Sequence, residues 1–407
     1  MAKFTTTGSE GSHDSVIRMQ SKEKKSSRNI LAATMIIAIV VIAFGAYYYT
    51  SSATQMSNTT TSEANNQVIT LNGAGATFPF PLISKMSSEY NTANPTIQIN
   101  YQSIGSGGGI RQFTVKTVDF AASDAPLTDQ QYADVTGTAP LHIPFRIGGV
   151  VPTYNLPNIA SGVKFTGPIL ADIFLGKIAK WNDPQLTAIN PGIALPDKDI
   201  IVVHRSDGSG TTFVWTNYLS DVSPEWKVNV GKSTSVNWPV GIGGKGNEGV
   251  AGVVTQNPYA LGYNEFAYAT INNISFGAVQ NAAGNFVLPS LDSFSAAVQA
   301  ASTTLPKGDA NWSTVSIIDS LTGNTNAKDA YPITSFSYVL IYKELNVLPG
   351  MDLARAKAVV NFLWWVVHTG QNYASPLAYV PLSPSVVALD EATIRSIAFN
   401  GQTVYQG

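Results

Sequence analysis

At 407 residues the chain is long enough for two cores, and its apolar content of 44% is that of a globular protein. With 12% charged residues and a net charge of −2, it has no field that would steer an anion or grip nucleic acid, so any anion site must consist of locally aimed donors. Cysteine is absent, which excludes disulfides, thiolate catalysis, thiolate metal centres and a lipidated cysteine.

Residues 1–29 read as a basic tail carrying Arg18, Lys22, Lys24, Lys25 and Arg28. The uncharged stretch 30–49 follows, about twenty residues or roughly 30 Å of helix, one hydrocarbon thickness. No Lys or Arg recurs until Lys85, so the positive-inside rule places the tail in the cytoplasm and the remainder outside. Tyr47, Tyr48 and Tyr49 suit the outer aromatic belt. Ser51-Ser52-Ala53 resembles a signal-peptide cleavage site, but the apolar run is longer than an ordinary signal core, which favours a retained membrane anchor. Residues 50–67, almost wholly Ser, Thr, Asn, Gln and Ala, cannot pack a core and read as a stalk.

From Val68 short β-branched runs alternate with helical stretches, the pattern of an α/β protein. Val68–Leu71 reads as a strand, 72–79 as a small-residue loop, and the next helix should bury Leu82, Ile83, Met86 and Tyr90 on one face. A second strand, Ile97–Tyr101, leads through Gly105–Gly109 to a helix over Ile110–Val115. Val118 to Asp124 reads as a short strand ending at a carboxylate, with Asp124 either an N-cap for a helix near Asp129–Tyr132 or an acceptor for a ligand proton. A third strand–loop–helix unit runs from Ile200–Val203 through 204–212 to Phe213–Leu219. Small-residue loops let backbone N–H groups approach an anion, and helix N-termini add partial positive charge. Thr77, Ser106, Ser209 and Thr211 place hydroxyls at those loops, and Arg205 adds a charge.

Enzymatic patterns fail on spacing. Val230-Gly231-Lys232-Ser233 lacks the first glycine of a P-loop, because Trp226 stands there, and Gly243-Gly244-Lys245 is followed by Gly246. Asp207-Gly208-Ser209-Gly210 lacks the leading glycine of a hydrolase elbow. His13, His142, His204 and His368 have no metal-site spacing, so no metal and no cofactor are expected.

The loops resemble those of the phosphate-binding component of high-affinity phosphate ABC importers, a family of periplasmic-type binding proteins. The resemblance rests on GAGATFPFPL from Gly73, YQSIGSGGGIRQ from Tyr101, TVDFAASDAPL from Thr117, IGGVV from Ile147, DIFLGKIAKWND from Asp172, VVHRSDGSGTTFVWTNYL from Val202, VNWPVGIGGKGNEGVAG from Val236 and DAYPITSFSYVLIY from Asp329. It covers the chain from Val68 nearly to its end. It implies an α/β fold of two lobes joined by two hinge crossovers, near Phe145-Arg146-Ile147 and Tyr331-Pro332-Ile333. Lobe I would be 68–145 with 332–407, and lobe II 146–331. It implies no enzyme but a monomeric extracellular receptor that passes inorganic phosphate to a membrane permease; the apolar run 30–49, read from its own composition, would tie that receptor to the bilayer. The rival readings are a phosphate-ester hydrolase or a binder of another oxyanion such as sulfate. Carried over residue by residue, the ligand set is Thr77, Phe78 (through its backbone), Ser106, Asp124, Arg205, Ser209, Gly210 and Thr211, with Asp207 supporting Arg205. His204 departs from the family by standing where a second arginine is often found, which makes the charge at the cleft edge pH-dependent. A transmembrane helix in place of a lipidated cysteine, with low charge and abundant Ser, Thr and Asn, reads as an archaeal-type surface protein.

Overall fold

The computed structural model describes residues 68–301 and 304–405. The predicted basic tail, anchor 30–49 and stalk 50–67 all lie outside the described residues; among those described, no helix is long and apolar enough to cross a membrane. From Gln67 onward the chain forms one compact unit.

Strand β1 (Ile69–Gly75) leads to helix α1 (Phe80–Ala93), which has Pro81 in its first turn. Its buried residues are Leu82, Ile83, Met86 and Tyr90, the stripe that the sequence spacing predicts. Strand β2 (Ile97–Ser103) alternates half-buried Ile97, Ile99 and Tyr101 with exposed Gln98, Asn100 and Gln102, as suits an edge strand. Helix α2 (Ser106–Thr114) starts four residues before the expected Ile110. The glycines are its first turn rather than a loop, because the turn packs on backbone: a Cβ on Gly109 would lie 2.4 Å from the Gly75 Cα. Strand β3 (Phe120–Ser123) ends at Asp124 as expected. Asp124 is not an N-cap, however; helix α3 (Asp129–Asp134) is capped by Thr128, which forms a capping box with Gln131.

Strand β4 (Pro140–Tyr154) is buried throughout its 15 residues. Beyond it come β5 (Ile201–Arg205), α4 (Gly210–Val222), β6 (Ile242–Gly244), α5 (Gly246–Gln256), β7 (Ala260–Glu265), α6 (Phe266–Ile271) and β8 (Ser275–Phe276). Helix α4 also starts earlier than expected, at Gly210 rather than Phe213, with Ser209 as its N-cap. The long strand β9 (Thr334–Tyr342) is followed by α7 (Leu353–Val367) and α8 (Pro384–Arg395).

One nine-stranded sheet runs in the order β2-β1-β3-β9-β4-β7-β5-β6, with β8 added to β4. Strands β2, β1 and β3 are parallel, as are β7, β5 and β6. The first part of β4 pairs antiparallel with β9 and its last part, Val150–Tyr154, with β7. Residues 145–147 lie within β4, and residues 331–333 lie just before β9. The ladder of these two strands slips between Ser337↔Arg146 and Tyr338↔Pro144, leaving Phe145 as the extra residue of a bulge next to a proline that has no N–H to give.

Within α8, Asp390 is fully buried, and neither carboxylate oxygen has a hydrogen-bond partner among the described residues. Burial raises its pKa well above the ordinary carboxyl value. The folded chain then holds a proton that the unfolded chain gives up, so stability is full below the unfolded pKa and falls as pH rises towards the folded one. Asp390→Asn should therefore gain at least about 1 kcal/mol at neutral pH and nothing near pH 4. Thermal melts of both proteins across pH check this; parallel profiles would refute it.

Candidate anion-binding site

Every residue of the predicted set sits at or just beyond the carboxyl end of a parallel strand, where the loops of an α/β sheet meet. Thr77 and Phe78 follow β1, Ser106 follows β2, Asp124 follows β3, and Arg205 closes β5 with Asp207 to Thr211 behind it. The structure brings them together. Gly107 N donates to Gly208 O at 2.9 Å, joining the two glycine loops. A Cβ on Gly210 would stand 2.4 Å from Ser106 Oγ and 2.5 Å from Asp124 Oδ2, so the α4 N-terminus faces both.

Arg205 is buried and clamped. Its Nε donates to Asp207 Oδ1 at 2.8 Å and its Nη2 to Asp207 Oδ2 at 2.5 Å, while Nη1 reaches Thr211 Oγ1 at 3.4 Å. Burial alone would push the Asp207 carboxyl up, but Arg205 and the Gly246 N–H, which donates to Oδ1 at 3.0 Å, hold it below its usual range. The bidentate clamp fixes the guanidinium plane and leaves the Nη1 edge towards Thr211.

Tyr268 donates to Thr77 O at 2.7 Å and Tyr379 to Phe78 O at 2.9 Å, so both loop carbonyls are tied back. The N–H groups do not share this fate. Among the described residues, those of Thr77, Phe78, Ser106, Gly210 and Thr211 have no acceptor, although all five residues are buried. First-turn N–H groups cannot bond within their own helix, and buried donors left unmatched are rare and costly.

Opposite these donors stands Asp124, 1% exposed. Its Oδ1 accepts from Ser337 Oγ and its Oδ2 lies 3.4 Å from Ser106 Oγ. Burial raises its pKa to about 6 against the opposing pull of Arg146, Ser337, Arg205 and Ser106, so it is ionised at neutral pH.

Sequence reasoning missed Asn247, Arg146, Glu265 and Ser337. Asn247 Nδ2 donates to Thr77 Oγ1 at 2.9 Å and to Thr211 Oγ1 at 3.0 Å, bridging two residues far apart in sequence. It is held by Asn264, which donates to its carbonyl, and by Glu265 N, which donates to its Oδ1. His204 is stacked on Trp238 at 4.8 Å, and burial lowers its pKa, so it is neutral rather than a variable charge near pH 7. His142 is buried against Trp312, accepting from Leu127 N. No cluster among the described residues could hold a metal. A cavity of about 540 Å³ lined by Leu305, Ile317, Phe336, Val386 and Leu389 has no charged residue in its wall and does not suit an anion.

Residues 57–368 match the model of the PBP superfamily domain. The chain is 48% identical over 325 residues to the phosphate-binding protein PstS of Xylella fastidiosa, covering 80% of this chain and 84% of the relative. Identity to the PstS of Pasteurella multocida is 45% (84% and 94% covered), and to that of Methanocaldococcus jannaschii 37% (81% and 85%). Among solved structures, an ancestral soluble variant of the human phosphate-binding protein matches with TM-score 0.61 at 18% identity, covering 82% of this chain and 98% of that one. The phosphate-binding protein of Stenotrophomonas maltophilia matches with TM-score 0.59 at 18% identity, covering 80% and 93%. At that identity these two speak for the fold alone.

Proposed function

Because the chain belongs to the PBP superfamily and, within it, to the PstS phosphate-binding proteins, we propose that this site captures inorganic phosphate for delivery to the permease of an ABC importer. The chain is a binding receptor, not an enzyme.

The observation that carries this reading is the set of buried, acceptorless N–H groups of Thr77, Phe78, Ser106, Gly210 and Thr211 around Arg205, faced by one ionised carboxylate. Donors from several directions suit a tetrahedral oxyanion, and helix N-termini add to its stabilisation. Asp124 can only accept, so it selects an oxyanion that still carries a proton. Hydroxyls of Thr77, Ser106, Ser209 and Thr211 complete the donor set, and Asp207 fixes Arg205. Residues 68–145 with 332–407 form one lobe and 146–331 the other, closing over the ligand about β4 and β9. Residues 30–49 anchor the protein, a monomer, in the cell membrane, with 50–67 as a stalk and the body outside; the low-charge composition supports an archaeal-type surface protein.

Calorimetry on the chain from Gln67 onward should show phosphate binding, sulfate at least about 100-fold weaker, and no hydrolysis of a phosphate monoester. Sulfate binding equal to phosphate would refute the reading. Full-length protein should sediment with membranes and the truncated chain should not; soluble full-length protein with a new N-terminus near Thr54 would mean cleavage instead of anchoring.

A further inference from the structure

Arg146 is fully buried in the middle of β4, beside the Phe145 bulge that re-aims the strand's side chains. Gly148, two positions on and so on the same face, clears its path: a Cβ there would lie 2.3 Å from Arg146 Nη1. The guanidinium rests on the rings of Phe78, at 3.8 Å, and Tyr379, at 4.6 Å. Nη2 donates to Ser337 Oγ at 2.6 Å, and Ser337 in turn donates to Asp124 Oδ1. Two carboxylates are near, Asp124 at 3.6 Å and Glu265 at 3.9 Å. Arg146 Nε and Nη1 and Glu265 Oε1 have no hydrogen-bond partner among the described residues.

A buried cation needs a compensating anion, and here two candidates compete. Burial pushes the Glu265 carboxyl up to about 8, against Arg146, the Ala267 N–H and Tyr379, whereas Asp124 reaches only about 6. At neutral pH Glu265 is therefore protonated and Asp124 is not. What separates the two is the Ser337 hydroxyl, which links Arg146 Nη2 to Asp124 by hydrogen bonds, whereas nothing bonds Nη1 to Glu265 among the described residues. Arg205 also lowers the Asp124 pKa, but by less than Arg146, and Asp207 already matches its charge.

We propose, resting on the phosphate reading above, that Arg146 is the positioning residue that keeps Asp124 an ionised acceptor and so makes the site demand a proton-bearing oxyanion. It does so from strand β4, meeting the ligand set at the Phe78 ring and at Asp124. Asp124 is faced by Arg146 from β4, Ser337 from β9, Ser106 from α2 and Arg205 from β5. At longer range stand Glu265 from β7, Tyr101 from β2, Tyr268 from α6 and Tyr338 from β9. Burial raises all three tyrosines far from neutrality, so near pH 7 only the two carboxyls change charge.

Sulfate is the probe, since phosphate titrates near neutrality and sulfate does not. In the purified full-length protein, sulfate affinity should rise as pH falls through about 6, where Asp124 gains a proton and can donate. Arg146→Met should move that midpoint up by at least about one unit and tighten sulfate binding at pH 7 roughly tenfold. Arg146→Lys should bring the midpoint most of the way back. Ser337→Ala should move it in the same direction by less, and it keeps the test open if the Met variant does not fold. A wild-type sulfate midpoint in both Arg146→Met and Ser337→Ala, with phosphate merely weakened, would overturn the proposal and leave Arg146 a hinge support. Failure of the wild type to bind phosphate would instead overturn the reading beneath it.

Discussion

Arg205→Ala should lower phosphate affinity by at least about 100-fold, or roughly 2.8 kcal/mol, while Thr211→Ala should cost only about 1 kcal/mol. A charge-assisted bond to an anion in a dry site exceeds a neutral hydroxyl bond. The clamp enlarges the difference. Asp207 is matched on both oxygens by Arg205, so removing the guanidinium leaves a carboxylate that repels the ligand and has lost its counter-ion. Backbone N–H groups, that of Gly246 among them, would be left to hold it. It follows that adding Asp207→Ala to Arg205→Ala should restore part of the lost affinity. Calorimetry on the two single variants and the double checks this. Equal losses from Arg205→Ala and Thr211→Ala would mean that the site works through backbone dipoles and the guanidinium is a structural strut.

The legible parts of this protein were those where local chemistry and tertiary packing agree. The stripe of Leu82, Ile83, Met86 and Tyr90 follows from helical period alone. The strand end before Asp124 was legible, whereas β5 runs two residues past the expected Val203 to Arg205, because His204 and Arg205 still pair with Gly243 and Gly244 of β6. The starts of α2 and α4 were misread because glycine is a poor helix former. Here it lies in the first turn of both helices, since a Cβ at Gly107 would press on Gly208 at 3.0 Å and one at Gly210 would strike Ser106 Oγ and Asp124 Oδ2. Partners contributed from distant positions were also illegible. Asn247 lies in the Gly243–Glu248 segment, whose glycines fail as a P-loop and so concealed a residue that bridges Thr77 and Thr211. Arg146 did leave a signal: it is the one Lys or Arg in the run of Pro140 to Tyr154, which holds no Asp or Glu. Arginine is almost never fully buried unless paired, so such a placement points to carboxylates that the sequence cannot locate.

Asp124→Asn should narrow the preference for phosphate over sulfate by at least about tenfold, or ~1.4 kcal/mol. The size of the wild-type preference comes from the acceptor-only character of the carboxylate. Phosphate near neutrality keeps at least one proton for it, whereas sulfate would set lone pairs and a second negative charge against an anion that is 1% exposed. Sites that require a ligand hydrogen reject analogues without it by several kcal/mol. The structure also predicts which way the substituted amide turns. Arg146 Nη2 and the Ser337 hydroxyl both lie on the Oδ1 side, and each brings a donor there. The amide oxygen therefore takes that side, and its NH₂ occupies the place of Oδ2, towards Ser106 and the α4 N-terminus. There it donates to whichever anion is bound, which favours sulfate and removes phosphate's advantage. Competition of the two anions against wild type and variant, at fixed pH and ionic strength, measures the ratio. An unchanged ratio would remove Asp124 from selectivity and leave discrimination to the shape of the N–H groups alone.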